Sequence, residues 1–162
     1  MRIYFAADHG GFELKETLVQ FVRGLGHEVE DCGAKEFDAN DDYPELIARA
    51  ARNLSADVAA GDVSRAIVLG ASGQGEAMVA NKFRGVRCAL YYGPSAEQKD
   101  MSGKTLDMIA SVREHNDANA LSLGARFISS EEAQRVVKKW LETGFPGEER
   151  HASRILQIDD VA

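Results

Sequence analysis

Within the seven residues Gly70-Ala71-Ser72-Gly73-Gln74-Gly75-Glu76, the chain places three glycines, a hydroxyl and a carboxylate. Glycines at 70, 73 and 75 let the backbone turn tightly and aim N–H groups at one spot ahead of a helix N-terminus. Such a turn can hold a phosphate, or an oxyanion that develops during a reaction. Neither the dinucleotide pattern GxGxxG nor the Walker lysine is present. On the glycines alone, a strand-to-helix turn that binds nothing is an equal reading. Ser72 and Glu76 in the same turn add groups able to move protons. Glu76 also suits the first turn of a helix, where the dipole lowers its pKa and burial by a substrate raises it.

Three further clusters carry suitable side chains. Asp8-His9-Gly10-Gly11 follows an apolar run and reads either as turn punctuation or as polar groups at a ligand site. Arg113-Glu114-His115-Asn116-Asp117-Ala118-Asn119 is a dense polar run that, by spacing, reads first as a solvated loop. Arg150, His151 and Arg154 can share a helix face and form a clamp for a dianion, or simply decorate an exposed helix. His27 has only a turn reading.

Those residues need elements to position them. Ile3 to Ala7, His27 to Cys32, Ala66 to Gly70, Val86 to Tyr91 and Ala120 to Leu123 read as five strands. Phe12 to Leu25, Tyr43 to Ala60 with Pro44 in its first turn, and Gly75 to Phe83 read as helices. A long helical region is expected over Ser95 to Arg113, and a helix N-capped by Ser130 over Ser130 to Leu141. A C-terminal helix or arm covers about 147–162. Alternating β-α units predict an α/β fold, a single doubly wound, Rossmann-like three-layer domain over 1–162. The expected sheet is mostly parallel and five-stranded, in the order 2-1-3-4-5. Ligands of such sheets bind beyond the carboxyl ends of the strands, which is where the Asp8 and Gly70 turns and the Gly124-Ala125-Arg126 segment fall.

With 162 residues, 44% hydrophobic and 28% charged, the composition is that of an ordinary globular domain. A net charge of −7 argues against a general nucleic-acid binder. Cys32 and Cys88 lie far apart with no metal-ligand spacing, and read as buried thiols of a reducing compartment. The N-terminal MRIYFAADHGG runs straight into a polar turn, and no apolar stretch is long enough for a bilayer, so a soluble cytoplasmic chain is expected.

Taken together, Ala7-Asp8-His9-Gly10-Gly11-Phe12-Glu13-Leu14-Lys15, Asp42-Tyr43-Pro44, Gly73-Gln74-Gly75-Glu76 with Ala80-Asn81-Lys82, Arg113 to Asn119, and Glu149-Arg150-His151 with Arg154 resemble the ribose-5-phosphate isomerase type B family. That group also contains the galactose-6-phosphate isomerase subunits, and the resemblance runs in order over essentially the whole chain. It implies a metal-independent aldose–ketose isomerase, without cofactor, that works through an enediolate on ribose 5-phosphate and ribulose 5-phosphate. Many members carry a Cys base at the position of Gly70. This chain instead resembles the mycobacterial-type branch, with Glu76 as base.

By position, the resemblance implies Ala71, Gly73, Gln74 and Gly75 as oxyanion donors and Ser72 as a hydroxyl-proton carrier. It gives ring opening to His115 with Asp8. The sugar hydroxyls go to Asp8, His9, Tyr43 and Asn116, and the phosphate to Arg126, Arg150, His151 and Arg154. It also implies a homodimer or tetramer with the site shared across the interface, and no nucleic-acid or membrane partner. The stretch between Arg87 and His115 is longer than the family pattern, with the excess around Glu97 to Ile109, so tetrose and hexose phosphates stay open as substrates. A non-catalytic sugar-phosphate or nucleotide sensor is the alternative from another class, and a subunit active only beside a paralogue is a third.

Overall fold

The computed structural model describes residues 1–94 and 96–161. Strand β1 (Arg2–Ala7), helix α1 (Phe12–Gly24) and strand β2 (Glu28–Asp31) come first. Helix α2 (Tyr43–Ala60), β3 (Ser64–Gly70), α3 (Gln74–Ala80) and β4 (Cys88–Tyr91) follow. A small hairpin, β5 (Gln98–Lys99) and β6 (Thr105–Leu106), precedes α4 (Met108–Asn116), β7 (Ala120–Gly124), α5 (Ser130–Glu142) and α6 (Glu149–Ile158). Five strands pair in parallel, in the order β2-β1-β3-β7-β4.

The continuous apolar runs are explained by burial on both sides of this sheet. Ile3, Phe5 and Ala7 pack with α1, α4 and α5, whereas Tyr4 and Ala6 pack with α2 and α3. The alternation is the two-residue period of a strand serving two cores. Leu121 on β7 has no exposed surface and sits in the α1/α5 core. Truncating it to Ala is expected to cost about 2–5 kcal/mol of stability, read as a lower urea midpoint at unchanged m.

Three expectations are corrected. Counting the five sheet strands in chain order, the arrangement is 2-1-3-5-4 and not 2-1-3-4-5, because β7 lies between β3 and β4. Every residue of Ala120–Gly124 is buried while most of Cys88–Tyr91 is half-buried, as their interior and edge positions in the sheet require. The long helix from Ser95 is replaced by the β5–β6 hairpin; Ser95 itself lies outside the described residues. Asp100 Oδ1 accepts from the backbone of Ser102 and Lys104, and Gly103 has φ +85°, which makes a turn where a helix would need a straight run. Helix α4 then starts on Asp107, whose side chain accepts from Ile109 and Ala110 N–H. Lastly, Ser129 and not Ser130 caps α5, accepting from Glu132 N–H at 3.1 Å.

Cys32 and Cys88 are half-buried free thiols, and burial pushes them up to about 11 and about 12. Among the described residues no helix is long and apolar enough to cross a membrane.

Candidate active site

The turn after β3 is built around two glycines. Gly73, the N-cap of α3, has φ +74°, a conformation side chains resist, and a Cβ there would come within 2.8 Å of the Leu123 backbone. Gly70 serves a different need. A Cβ at that position would stand 1.9 Å from Glu76 Oε1 and 2.1 Å from its Cδ. The Glu76 carboxyl therefore fills the volume that any side chain at 70 would take.

Glu76 is 5% exposed although it sits in the first turn of a helix. Burial raises its pKa above the ordinary carboxylate value, and the Asp8 charge adds to the rise; its own backbone N–H opposes it. The N–H groups of Ala71, Ser72 and Gly73 donate to no protein acceptor among the described residues, while Gln74 N–H reaches Ser72 Oγ at 3.4 Å. A buried carboxylate thus stands beside several unengaged donors.

The turn after β1 closes on this loop. Gly10 approaches so tightly that a Cβ would meet Ala71 N at 2.8 Å. Asp8 is buried, and its Oδ1 accepts from Gly10 N–H at 2.9 Å. His9 is held by Asp41, whose Oδ1 accepts from the His9 backbone N–H at 3.0 Å and lies 2.7 Å from Nδ1. The Phe37 ring stands perpendicular to that of His9, with centroids 6.4 Å apart. Tyr43, at the start of α2, lies over Gly75. From β7, Arg126 N–H donates to Ala71 O at 3.1 Å and its charge reaches His9. Asp8, His9, Tyr43, Ala71 to Glu76 and Arg126 are thereby brought together at the carboxyl ends of β1, β3 and β7. Among the described residues, Asp8, His9 and Asp41 are the one group whose donor atoms crowd within 4.8 Å as a metal site requires, but Nδ1 and Oδ1 are spent on each other.

His115, Asn116, Arg150, His151 and Arg154 are placed elsewhere. His115 and Asn116 end α4, just before the amino end of β7. Arg87, leading into β4, donates to the carbonyls of Asn116 and Asp117 and pins that corner. Ring stacking joins His115 to His151 on α6, with centroids 4.6 Å apart and planes 24° apart. Arg150 and Arg154 are exposed on α6, within about 100° of the half-buried His151 around the helix. β7 alone separates the two groups by roughly 15 Å. The expected pairing of His115 with Asp8 therefore does not form within one chain. A cavity of about 520 Å³ opens beside His115, with Lys104 from the hairpin and Glu148 on its walls. A second, of about 680 Å³, lies between Lys82, Arg87, Val112 and Ile158, and Glu76 lines neither.

Asp41 and Phe37 were not legible as site residues. Asp41 lies in the acidic run Asp38-Ala39-Asn40-Asp41-Asp42, where no spacing marks one carboxylate, and its partner is 32 residues earlier.

Known proteins share both the sequence and the fold. The sequence model of the Ribose/Galactose Isomerase family matches residues 3–158. Ribose-5-phosphate isomerase B of Mycobacterium tuberculosis is 39% identical over 155 residues, covering 96% of this chain and 86% of that protein. The crystal structure of ribose-5-phosphate isomerase B from Mycoplasma genitalium with bound ribulose-5-phosphate superposes with a TM-score of 0.83 at 31% identity, covering 99% of this chain and 95% of that one. The enzyme from Thermotoga maritima gives 0.79 at 35% identity, covering 98% and 97%. With the match spanning nearly every element described above, the chain belongs to the ribose/galactose isomerase family.

Proposed function

We propose that the protein interconverts ribose 5-phosphate and ribulose 5-phosphate, with Glu76 as the proton-transferring base. The observation that carries this reading is the buried Glu76 carboxyl standing over Gly70 beside the unengaged N–H groups of the glycine turn. Glu76 takes the proton from C2 of the open-chain aldose, and the C–H electron pair forms the C1–C2 double bond. The carbonyl oxygen becomes the enediolate oxygen, held by the N–H groups of the 71–75 turn. Ser72 passes the hydroxyl proton between the two oxygens, and Glu76 returns its proton to C1, giving the ketose. Raising the carboxylate's pKa makes its ionised form a stronger base toward the C–H proton.

A second copy completes the site in this reading. Arg150, His151 and Arg154 would take the phosphate with Arg126, and His115 would open the ring, all four C-terminal groups coming from the other subunit. The separation of the two clusters by the length of β7 supports this arrangement. Mixing inactive Glu76→Gln with inactive His115→Ala is expected to restore about a quarter of wild-type activity, since half the dimers carry one intact site of two. No recovery would sink the shared site. Arg154→Ala is expected to raise KM about tenfold with kcat nearly kept.

The reaction itself is tested by incubating the purified chain with ribose 5-phosphate in deuterated water. Ketose formation with solvent deuterium entering next to the carbonyl supports the enzyme; binding without exchange supports a sensor and overturns it. Initial rates on tetrose and hexose phosphates then rank the substrates.

A further inference from the structure

We propose that Asp41 is the positioning residue of His9: it holds the ring as an imidazolium, taking the Nδ1–H and leaving the Nε2–H to donate to an oxygen of the bound sugar phosphate. The inference rests on the sugar-phosphate reading above for the identity of the ligand, and on the geometry for everything else. Asp41 Oδ1 takes both the backbone N–H and the ring Nδ1 of His9, at 3.0 and 2.7 Å, which fixes the ring in two ways at once. Its Oδ2 is buried with no hydrogen-bond partner, and the side chain is only 13% exposed. A carboxylate in that position needs a counter-charge, because an unpaired buried charge is costly. Among the described residues, His9 is the one cationic group within ion-pair distance of Asp41.

The remaining neighbours agree with a protonated ring. From β1, Asp8 Oδ2 lies 3.9 Å from Nδ1 and adds a second negative charge. Beyond β7, Arg126 opposes protonation, and the perpendicular Phe37 ring is neutral. The Asp41 hydrogen bond is the largest influence, and the balance raises the His9 pKa. Nε2 has no protein partner among the described residues and is not sealed from solvent. His9 so held is a donor and a positive charge, not a base, and Glu76 keeps the proton transfer from carbon to itself.

The test uses the full chain with Asp41→Asn, which keeps the side chain's size. His9 ring nitrogens are followed by NMR in the free protein, assigned through their loss in His9→Gln. The midpoint of the His9 titration is expected to move to lower pH in Asp41→Asn; an unmoved midpoint overturns the proposal. With ribose 5-phosphate, KM is expected to rise roughly tenfold or more above neutral pH, with kcat changed less than about threefold. At acidic pH, where His9 is charged in both proteins, the two KM values should converge. A loss confined to kcat, or a KM penalty equal at every pH, overturns it. Adding Asp41→Asn to His9→Gln is expected to cost nothing further above neutral pH, and a full additional penalty counts against the coupling. Should the unmutated chain isomerise no sugar phosphate, the function reading fails, and the NMR titration still decides the role of Asp41.

Discussion

Glu76→Gln is expected to lower kcat by roughly 10²–10⁴-fold while KM moves by less than about threefold. The amide keeps the volume and the contacts over Gly70 but cannot accept a proton from carbon, so the loss falls on the transition state and not on binding. The wild-type pH profile carries a matching signature. A base acts only when ionised, so activity is lost as pH falls through the pKa of Glu76. Burial and Asp8 raise that pKa in the free protein, which puts the acidic limb of kcat/KM above the pH expected of an exposed glutamate. In the Gln variant that limb should vanish from the residual rate. Near-normal turnover with the fold intact would remove Glu76 from the chemistry.

Gly70→Ala should be nearly as damaging, although it alters no group that touches substrate. The new methyl would stand 1.9 Å from Glu76 Oε1, so the carboxyl has to leave its place. Displacement of a reacting group by about 1 Å can cost about 10²-fold, and this shift is at least that large. Gly70 does not adopt a left-handed conformation, so alanine suits the backbone and the damage is confined to the carboxyl. The expected result is a kcat lowered about 10²-fold or more, with circular dichroism unchanged and only a modest fall in Tm from overpacking. Full activity in this variant would show that the carboxyl does not work from the position over Gly70. The same crowding explains why a thiol at position 70, the arrangement the family resemblance assigns to many members, and a glutamate at 76 are alternatives: both occupy one volume at the end of β3.

What was legible in the sequence was local. The apolar run of Ala66 to Gly70, the helix of Tyr43 to Ala60 and the polar turns at Asp8 and Gly70 report their own surroundings through period and residue type, so strand, helix and loop could be read from short windows. The failures were local too where turn chemistry outweighed helical spacing, as Asp100 and Gly103 did in the hairpin. The order of the last two strands, the reach of Asp41 to His9, the Glu76 carboxyl settling over Gly70, and the stacking of His115 on His151 far from Asp8 came from the tertiary structure alone. Each of these joins residues that no window contains, and each depends on what packing encloses: which strand ends up between two others, which carboxylate must find a counter-charge, which volume is left empty beside a glycine. Sequence patterns state how much a residue needs to be buried, and only packing decides against what.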